Sequence, residues 1–287
     1  MSPMLTLPAP AKLNLFLHIT GRRDDGYHTL QTLFQFLDFG DSLSFQLDSG
    51  TGVRLSPDLP GFDPAENLII KAANKLRSYI GSSPPGVTIH LDKRIPMGGG
   101  LGGGSSDAAT TLLALNRLWG LDLHTDELAS VGLELGADVP VFVRGHAAWA
   151  EGIGEQITPA SPVEDWYLVL IPPCTVNTAQ IFRHERLTRN SKPIRIAPAF
   201  DGNHSDYRND CEALVCELYP AVEQALQWLR SECGNARLTG TGACIFSRFP
   251  TESGALAVLR NRPSGIKGFV AKGLNSSPLH NRLTELL

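Results

Sequence analysis

The stretch Pro96-Met-Gly-Gly-Gly-Leu-Gly-Gly-Gly-Ser-Ser-Asp107 runs straight into Ala108-Ala-Thr-Thr-Leu-Leu-Ala-Leu-Asn-Arg-Leu-Trp119. Six glycines fall between Gly98 and Gly104. Each costs backbone entropy on folding, and in return permits positive φ and close approach of a ligand to the main chain. After Asp107, the residues Ala108, Ala109, Leu112, Leu113, Leu115, Leu118 and Trp119 recur at helical spacing, with Gly120 as a stop. Ahead of the glycines, Val87-Thr-Ile-His-Leu91 alternates like a half-buried strand. The order is strand, glycine loop, helix. Unpaired N–H groups at a helix N-terminus, the positive end of its dipole and the inward N–H groups of a glycine loop together cradle phosphate.

The plain alternative is a flexible linker, but a linker does not lead directly into an apolar-faced helix. No G-x-x-x-x-G-K-[ST] is present, because Gly104 and Ser105 stand where Lys and Ser/Thr would follow Gly103. Gly98-x-Gly100-x-x-Gly103 satisfies the dinucleotide pattern, yet Lys93-Arg94-Ile95-Pro96 separates strand from loop. The acidic residue about twenty positions on, Asp122, follows a helix instead of ending a second strand. The dinucleotide reading is rejected.

Taken whole, Pro96-x3-Gly100-Leu101-Gly102-Gly103-Gly104-Ser105-Ser106-Asp107 resembles the second motif of the GHMP kinases, small-molecule kinases with a phosphate loop of their own. The form Gly-Leu-Gly-Gly-Gly-Ser-Ser-Asp is similar to the branch of that family acting on 4-diphosphocytidyl-2-C-methyl-D-erythritol. The resemblance implies ATP and Mg²⁺ as cofactors. It places Pro96, Met97, Gly98, Gly99, Gly100, Leu101, Gly102, Gly103, Gly104, Ser105 and Ser106 around the nucleotide.

At 287 residues the chain has room for two modest domains. Hydrophobic content of 42% and charged content of 19% are ordinary for a globular protein. A net charge of −4 offers no electrostatic footprint for nucleic acid or an acidic membrane. No apolar run approaches the roughly twenty residues that span a bilayer, and the N-terminus lacks a basic, long-cored signal peptide. Five cysteines (Cys174, Cys211, Cys216, Cys233 and Cys244) form no C-x-x-C pair and read as free thiols in a reducing cytosol. A cytoplasmic monomer or weak homodimer with a small-molecule substrate is expected.

Pro10-Ala-Lys-Leu-Asn-Leu-Phe-Leu-His-Ile19 alternates with period two, which puts Lys12, Asn14, Phe16 and His18 on one face. Lys12 is the only charged side chain between Met1 and Gly21. It reads either as an edge-strand gatekeeper or as a fixed cation with Asn14 beside it. Asp138, in Gly136-Ala-Asp-Val-Pro140, is the only acid between Glu134 and Glu151. It reads either as the cap of a short helix or as a carboxylate paired with a cation. In the resembled family the corresponding residues are catalytic: Asp138 is implied as general base, Lys12 as its cation near the phosphoryl acceptor, and Asn14 as a substrate contact.

Arg22-Arg-Asp-Asp-Gly26 is a turn, followed by Tyr27 and His28. Those two could simply begin a strand. The resemblance implies instead that Tyr27 stacks on cytosine, with His28 hydrogen-bonding the base and Phe182 closing from the other side. Phe182 could equally be core. Asn67 stands at the start of the amphipathic helix 66–77, as a cap or beside adenine; Lys93 either reaches the nucleotide or is solvated. Residues 41–55 read as strand, turn and strand, 125–135 as a helix ending at Gly136, 145–155 as strand-turn-strand, and 166–171 as a buried strand. Residues 56–64 and 199–210 read as loops, and a helix begins at 209 and restarts at Pro220. Arg237-Leu-Thr-Gly-Thr-Gly-Ala-Cys-Ile-Phe246 is a hairpin by its turn residues. The resemblance makes it the third motif, with Gly240 and Gly242 packed on the phosphate loop. Helix 253–260 and strand 268–272 follow.

The implied fold is α+β: an N-terminal kinase domain of ribosomal-protein-like topology over 1–160 and a ferredoxin-like C-terminal domain over 161–287. The implied reaction moves the ATP γ-phosphoryl group to the 2-hydroxyl of the cytidine substrate, a step of isoprenoid precursor synthesis. Two alternatives stand beside it: a relative acting on homoserine or mevalonate, and a nucleotide-binding regulator without chemistry.

Overall fold

The computed structural model describes residues 4–57, 63–80, 84–195 and 207–286. Two long antiparallel strands open the chain, β1 (Leu5–Arg22) and β2 (His28–Asp48). The second runs unbroken through the position where the sequence suggested separate strands. Then come β3 (Val53–Ser56), α1 (Leu68–Arg77) and β4 (Gly86–Asp92), with β4 antiparallel to β2 and parallel to β3. The helices α2 (Gly103–Leu118), α3 (Thr125–Leu135) and α4 (Val139–Arg144) lead to the hairpin β5 (Ala148–Glu151) and β6 (Gln156–Pro159). The expected loops at 56–64 and 199–210 lie largely outside the described residues.

The second half continues with β7 (Trp166–Ile171), α5 (Thr178–Arg183), α6 (Glu212–Leu218), α7 (Pro220–Cys233), β8 (Arg237–Leu238), β9 (Ile245–Phe249), α8 (Glu252–Arg260), β10 (Lys267–Leu274) and α9 (Pro278–Glu285). Its strands lie in the order β10-β7-β9-β8, all antiparallel, as the ferredoxin-like expectation requires. Strand β10 pairs with β7 from Lys267 to Lys272 and touches β2 at Gly273↔Leu37 and Leu274↔Phe36. One sheet therefore runs across both halves of the chain.

The first half buries one face of that sheet under α1 and α2. Phe34, Phe36, Phe45 and Ile89 from the strands meet Ile69, Ala72 and Leu76 of α1 and Ala108, Leu112 and Leu115 of α2. These helix positions are the ones that recur at three and four in the sequence. The second half packs α6, α7 and α8 on Leu168, Leu170 and Ile245. Helix α9, opened by Ser277 at its N-cap and Pro278 at its first position, returns to the first half and places Leu279 in its core. Among the described residues no helix is long and apolar enough to cross a membrane.

Phe45 is fully buried in the strand face that carries α1 and α2. Phe45→Ala should destabilise the protein by about 3–5 kcal/mol, measured as a lower urea midpoint with unchanged m-value.

Candidate active site

The glycine run is in position because of what it touches. Residue Gly102 takes φ 74° and caps α2 without any side chain, so the helix begins at Gly103, inside the run. A Cβ on Gly102 would sit 2.9 Å from both Lys12 Cε and Phe142 Cζ. Gly100, also at φ 74°, lies so close to the turn Thr239–Cys244 that a Cβ there would approach the Thr239 carbonyl to 2.2 Å. The turn grips the loop through its backbone: Ala243 N donates to Gly98 O at 3.0 Å, and Cys244 N to Gly99 O at 3.1 Å. The Thr239 hydroxyl accepts from Asn14 N at 3.0 Å and donates to Gly100 O at 3.4 Å. Strand β1, loop and turn are thereby one unit.

Beside this unit lies a cavity of about 840 Å³. Of the expected nucleotide residues, Pro96, Met97, Gly98–Gly104, Ser105, Asn67, Lys93 and Gly240 line it. Ser106 is turned into α2, where its Oγ is buried with no hydrogen-bond partner among the described residues. Gly242 lies behind the turn, against Leu238 and Val215. Asn67 keeps its capping role, accepting from Ile69 N at 2.8 Å, and also faces the cavity.

Strand β1 breaks register on either side of Lys12, between Pro10 and Lys12 and between Asn14 and Leu17. The gatekeeper reading is overturned there, because the Lys12 side chain is buried. Its ammonium donates to Asn14 Oδ1 at 2.5 Å and to Gly100 O at 3.2 Å, pairs with Asp138 Oδ2 at 3.1 Å, and lies 5.2 Å from the Phe34 ring centroid. A buried ammonium is tolerable only with such partners. Asp138 does stand at the N-cap position of α4, yet its side chain makes no cap bond and turns to Lys12 instead. Its carboxylate is about a third exposed and lines the cavity with Lys12 and Asn14. A carboxylate within reach of solvent, beside a fixed cation and on the same cavity wall as the glycine loop, can take a proton from a hydroxyl held there.

Lys93 is not solvated. Its ammonium lies between Asp41 Oδ2 at 2.5 Å and Asp107 Oδ2 at 2.9 Å. Asp41 is fully buried and also accepts from Arg94 N at 2.6 Å and Ile95 N at 2.7 Å, so it ties down the chain entering the loop. Burial would lower the Lys93 ammonium, but Asp107 and Asp41 together outweigh it and hold its pKa above the ordinary value. Burial pushes the Asp107 carboxyl up to about 7, only partly offset by Lys93.

The residues expected around a base are only partly assembled. Phe182, on α5, lines the cavity, and its ring stacks on His28 at 5.3 Å between centroids and 29° between planes. His28 is buried and accepts from Arg189 Nε at 2.9 Å. Tyr27 lies outside the cavity on the turn before β2, 61% exposed. Sequence reasoning missed Asp41, Arg189 and the cavity residues Thr175, Val176 and Thr178. Asn177, which caps α5 by accepting from Gln180 N at 3.1 Å, was the available signal for that last group.

The family described as GHMP kinases N terminal domain matches residues 67–146, and that described as GHMP kinases C terminal matches residues 191–265. The chain is 62% identical to a protein of Marinobacter nauticus named 4-diphosphocytidyl-2-C-methyl-D-erythritol kinase, over 100% of both chains. It is 54% identical to the protein of that name in Hahella chejuensis, over 98% of this chain and 97% of the relative. A crystal structure of 4-(cytidine 5'-diphospho)-2C-methyl-D-erythritol kinase superposes with TM-score 0.79 at 31% identity, covering 94% of this chain and 99% of the other. A mevalonate kinase structure superposes with TM-score 0.68 at 14% identity, covering 95% and 100%, and shares the fold.

Two outcomes are expected. Gly100→Ala should separate loop from turn and raise the KM for ATP at least tenfold, read in a steady-state ATP titration, since its Cβ meets a backbone oxygen and its φ is positive. The raised Asp107 pKa means that the folded state binds the proton more tightly than the unfolded one. That contribution to stability is complete below about pH 4 and is lost as pH rises to about 7. Thermal melts should show wild type losing stability relative to Asp107→Asn over that window; parallel curves would refute it.

Proposed function

The chain belongs to the GHMP kinases, in the branch of the 4-diphosphocytidyl-2-C-methyl-D-erythritol kinases, and from that premise we propose how its residues act. It is an ATP-dependent small-molecule kinase that phosphorylates the 2-hydroxyl of 4-diphosphocytidyl-2-C-methyl-D-erythritol, a step of isoprenoid precursor synthesis. The observation that carries the residue assignment is the Lys12–Asp138 pair, 3.1 Å apart on the wall of a cavity that also holds the glycine loop. A nucleotide-binding regulator without chemistry has no use for that pair.

In the reaction, the 2-hydroxyl oxygen attacks the γ-phosphorus, Asp138 accepts the hydroxyl proton, and the bond from the γ-phosphorus to the β,γ-bridging oxygen breaks to release ADP. Lys12 steadies the charge that builds on the transferring group and pairs with Asp138. Asn14, locked by Thr32 at 2.8 Å and by Lys12, orients the acceptor. The main-chain amides from Gly98 to Ser105 hold the phosphates, with Asn67 toward the adenine and Gly240 behind the loop. Little covalent work falls to the protein, because phosphoryl transfer is mostly positioning and electrostatics.

Among the described residues no group of three or more His, Cys, Asp or Glu is arranged to hold a metal. The cavity nonetheless offers oxygen donors in Asp138 and the Ser105 hydroxyl. These suit a Mg²⁺ that enters on ATP and keeps most of its phosphate and water ligands. Bound, it would neutralise phosphate charge. The division at residue 160, a cytoplasmic location and a monomer or weak homodimer complete the reading, and the net charge of −4 supports no nucleic-acid partner.

Asp138→Asn should lower kcat on the cytidine substrate by about a thousandfold with the KM for ATP little changed. ATP consumption is followed for this substrate beside homoserine and mevalonate. Retained turnover in the variant would remove Asp138 as the base, and turnover of another alcohol would remove the substrate assignment.

A further inference from the structure

Both amide hydrogens of one buried side chain go to the turn that grips the glycine loop. Asn209 Nδ2 donates to Gly240 O at 2.7 Å and to Leu238 O at 3.0 Å. Its Oδ1 accepts from Cys211 N at 2.9 Å. A side-chain amide carries two N–H donors, so no hydrogen is left for another partner. Turned over, the group would set its oxygen against two carbonyl oxygens and its NH2 against an N–H. The three contacts therefore fix its orientation. Glu212, at the start of α6, accepts from Leu238 N through Oε2 at 2.9 Å and is itself held by Arg230 Nη2 at 2.6 Å. Leu238 is thus gripped at its N–H and at its carbonyl from one helix start.

The segment that carries Asn209 is tied to β1 as well. Leu17 N donates to Arg208 O at 2.9 Å, and Asp210 N to Leu17 O at 2.8 Å. Leu17 is where β1 resumes its pairing with β2 after Asn14. On its other side, Gly240 takes φ 55° and packs on the glycine loop. A Cβ there would lie 3.1 Å from Gly100 O and 3.3 Å from Asn14 Oδ1. The carbonyl that Asn209 holds thus belongs to the residue that meets both Gly100 and Asn14. With Gly240 and Gly242 both at positive φ, local preference alone does not keep this turn in one geometry. Its own bonds run from Gly242 N to Thr239 O at 2.9 Å and from Thr239 N to Cys244 O at 3.1 Å, and leave the Gly240 carbonyl to Asn209.

We infer that Asn209 is a positioning residue for ATP, aiming the Gly240 turn at the glycine loop and so setting the spacing of the amides that hold the phosphates. It stands outside the cavity and acts through Gly240, which lines it. Donors held in place before the anion arrives need no reorganisation when it binds. The Lys12 ammonium meets the loop at Gly100 O and keeps its separate bonds to Asn14 and Asp138. Loosening the turn therefore weakens ATP binding more than it disturbs the proton transfer. This rests on the proposed hold of the glycine loop on the ATP phosphates.

The test is steady-state kinetics with ATP varied, each variant assayed below its own melting temperature. Asn209→Asp keeps the size of the side chain and sets an oxygen where both donors were. Its KM for ATP should rise roughly tenfold or more, with kcat at saturating ATP changed by less than about threefold. Asn209→Ser keeps one donor and should fall between this variant and wild type. Leu229→Ala, at a fully buried position of α7 in the second-half core, serves as the control for lost stability. Its KM for ATP should stay within about twofold of wild type. An unmoved KM in folded Asn209→Asp overturns the inference. So does an equal rise in Leu229→Ala, which would mark general loosening. If neither Asn209 variant folds, the residue holds the second half together instead of aiming the turn, and the inference falls as well. Gly100→Ala separates the inference from its premise. A raised KM there with none in Asn209→Asp rejects Asn209 alone, whereas no rise in either rejects the hold of the loop on ATP.

Discussion

Two backbone hydrogen bonds, from Ala243 N to Gly98 O and from Cys244 N to Gly99 O, hold a glycine loop that could not hold itself. A run so rich in glycine has too many accessible conformations to keep one geometry by local preference. Its order comes from a turn well over a hundred residues further along the chain. The proposed phosphate cradle accordingly needs both halves of the protein, although all of its amides belong to the first. The same turn accepts from Asn14 N through Thr239, so β1 is fixed to the loop as well, and Lys12 arrives at Asp138 with its backbone already bonded to Leu101 O at 3.0 Å. Continuity of the sheet through β10 keeps the two halves in register with this arrangement.

Two lysines, Lys12 buried and Lys93 partly exposed, serve different ends within that frame. Lys12 meets one carboxylate and neutral oxygens, so the pair is close to balanced and its exposed member remains free to take a proton. Lys93 meets two carboxylates, leaving an excess negative charge below a loop meant for anions. The excess is softened because burial favours the protonated form of Asp107. Asp41 keeps its charge useful by accepting from Lys93 and from two main-chain amides at the entry to the loop. This cluster shapes the loop from beneath; the Lys12–Asp138 pair faces what binds above it.

The parts legible in the sequence are those set by local rules. Helix α3 begins and ends at the residues its capping and glycine signals give, and the strand of Trp166–Ile171 and the restart at Pro220 follow from β-rich composition and a missing N–H. The glycine loop and its flanking elements were legible too, except for the start of α2. Apolar periodicity begins at Ala108, but the helix starts at Gly103, because a left-handed Gly102 caps it through backbone alone. What stayed hidden depends on distant partners. Nothing near Lys93 in sequence announces Asp41, and the Ser277-Pro278 start of α9 does not say that Leu279 will find space in the first core.

Tyr27 and His28 mark the same boundary between ring and hydrogen bond. Tyr27 sits on a turn fixed by its own backbone, with Tyr27 N donating to Asp25 Oδ1 at 3.1 Å and Arg23 N to Tyr27 O at 2.7 Å, and its ring is largely in solvent. An aromatic ring in that position offers stacking of about 1–3 kcal/mol to any base, since every base has a π-face. Choice needs donors whose direction is settled before the ligand arrives, because a group that can turn will satisfy either partner. His28 is fixed in that sense, being buried, stacked on Phe182 and bonded through Nε2 to the Arg189 guanidinium. The turn ahead of Tyr27 is readable from sequence in its Asp-Asp-Gly residues. The fixity of His28 comes from a residue 161 positions away, and only the folded chain brings the two together.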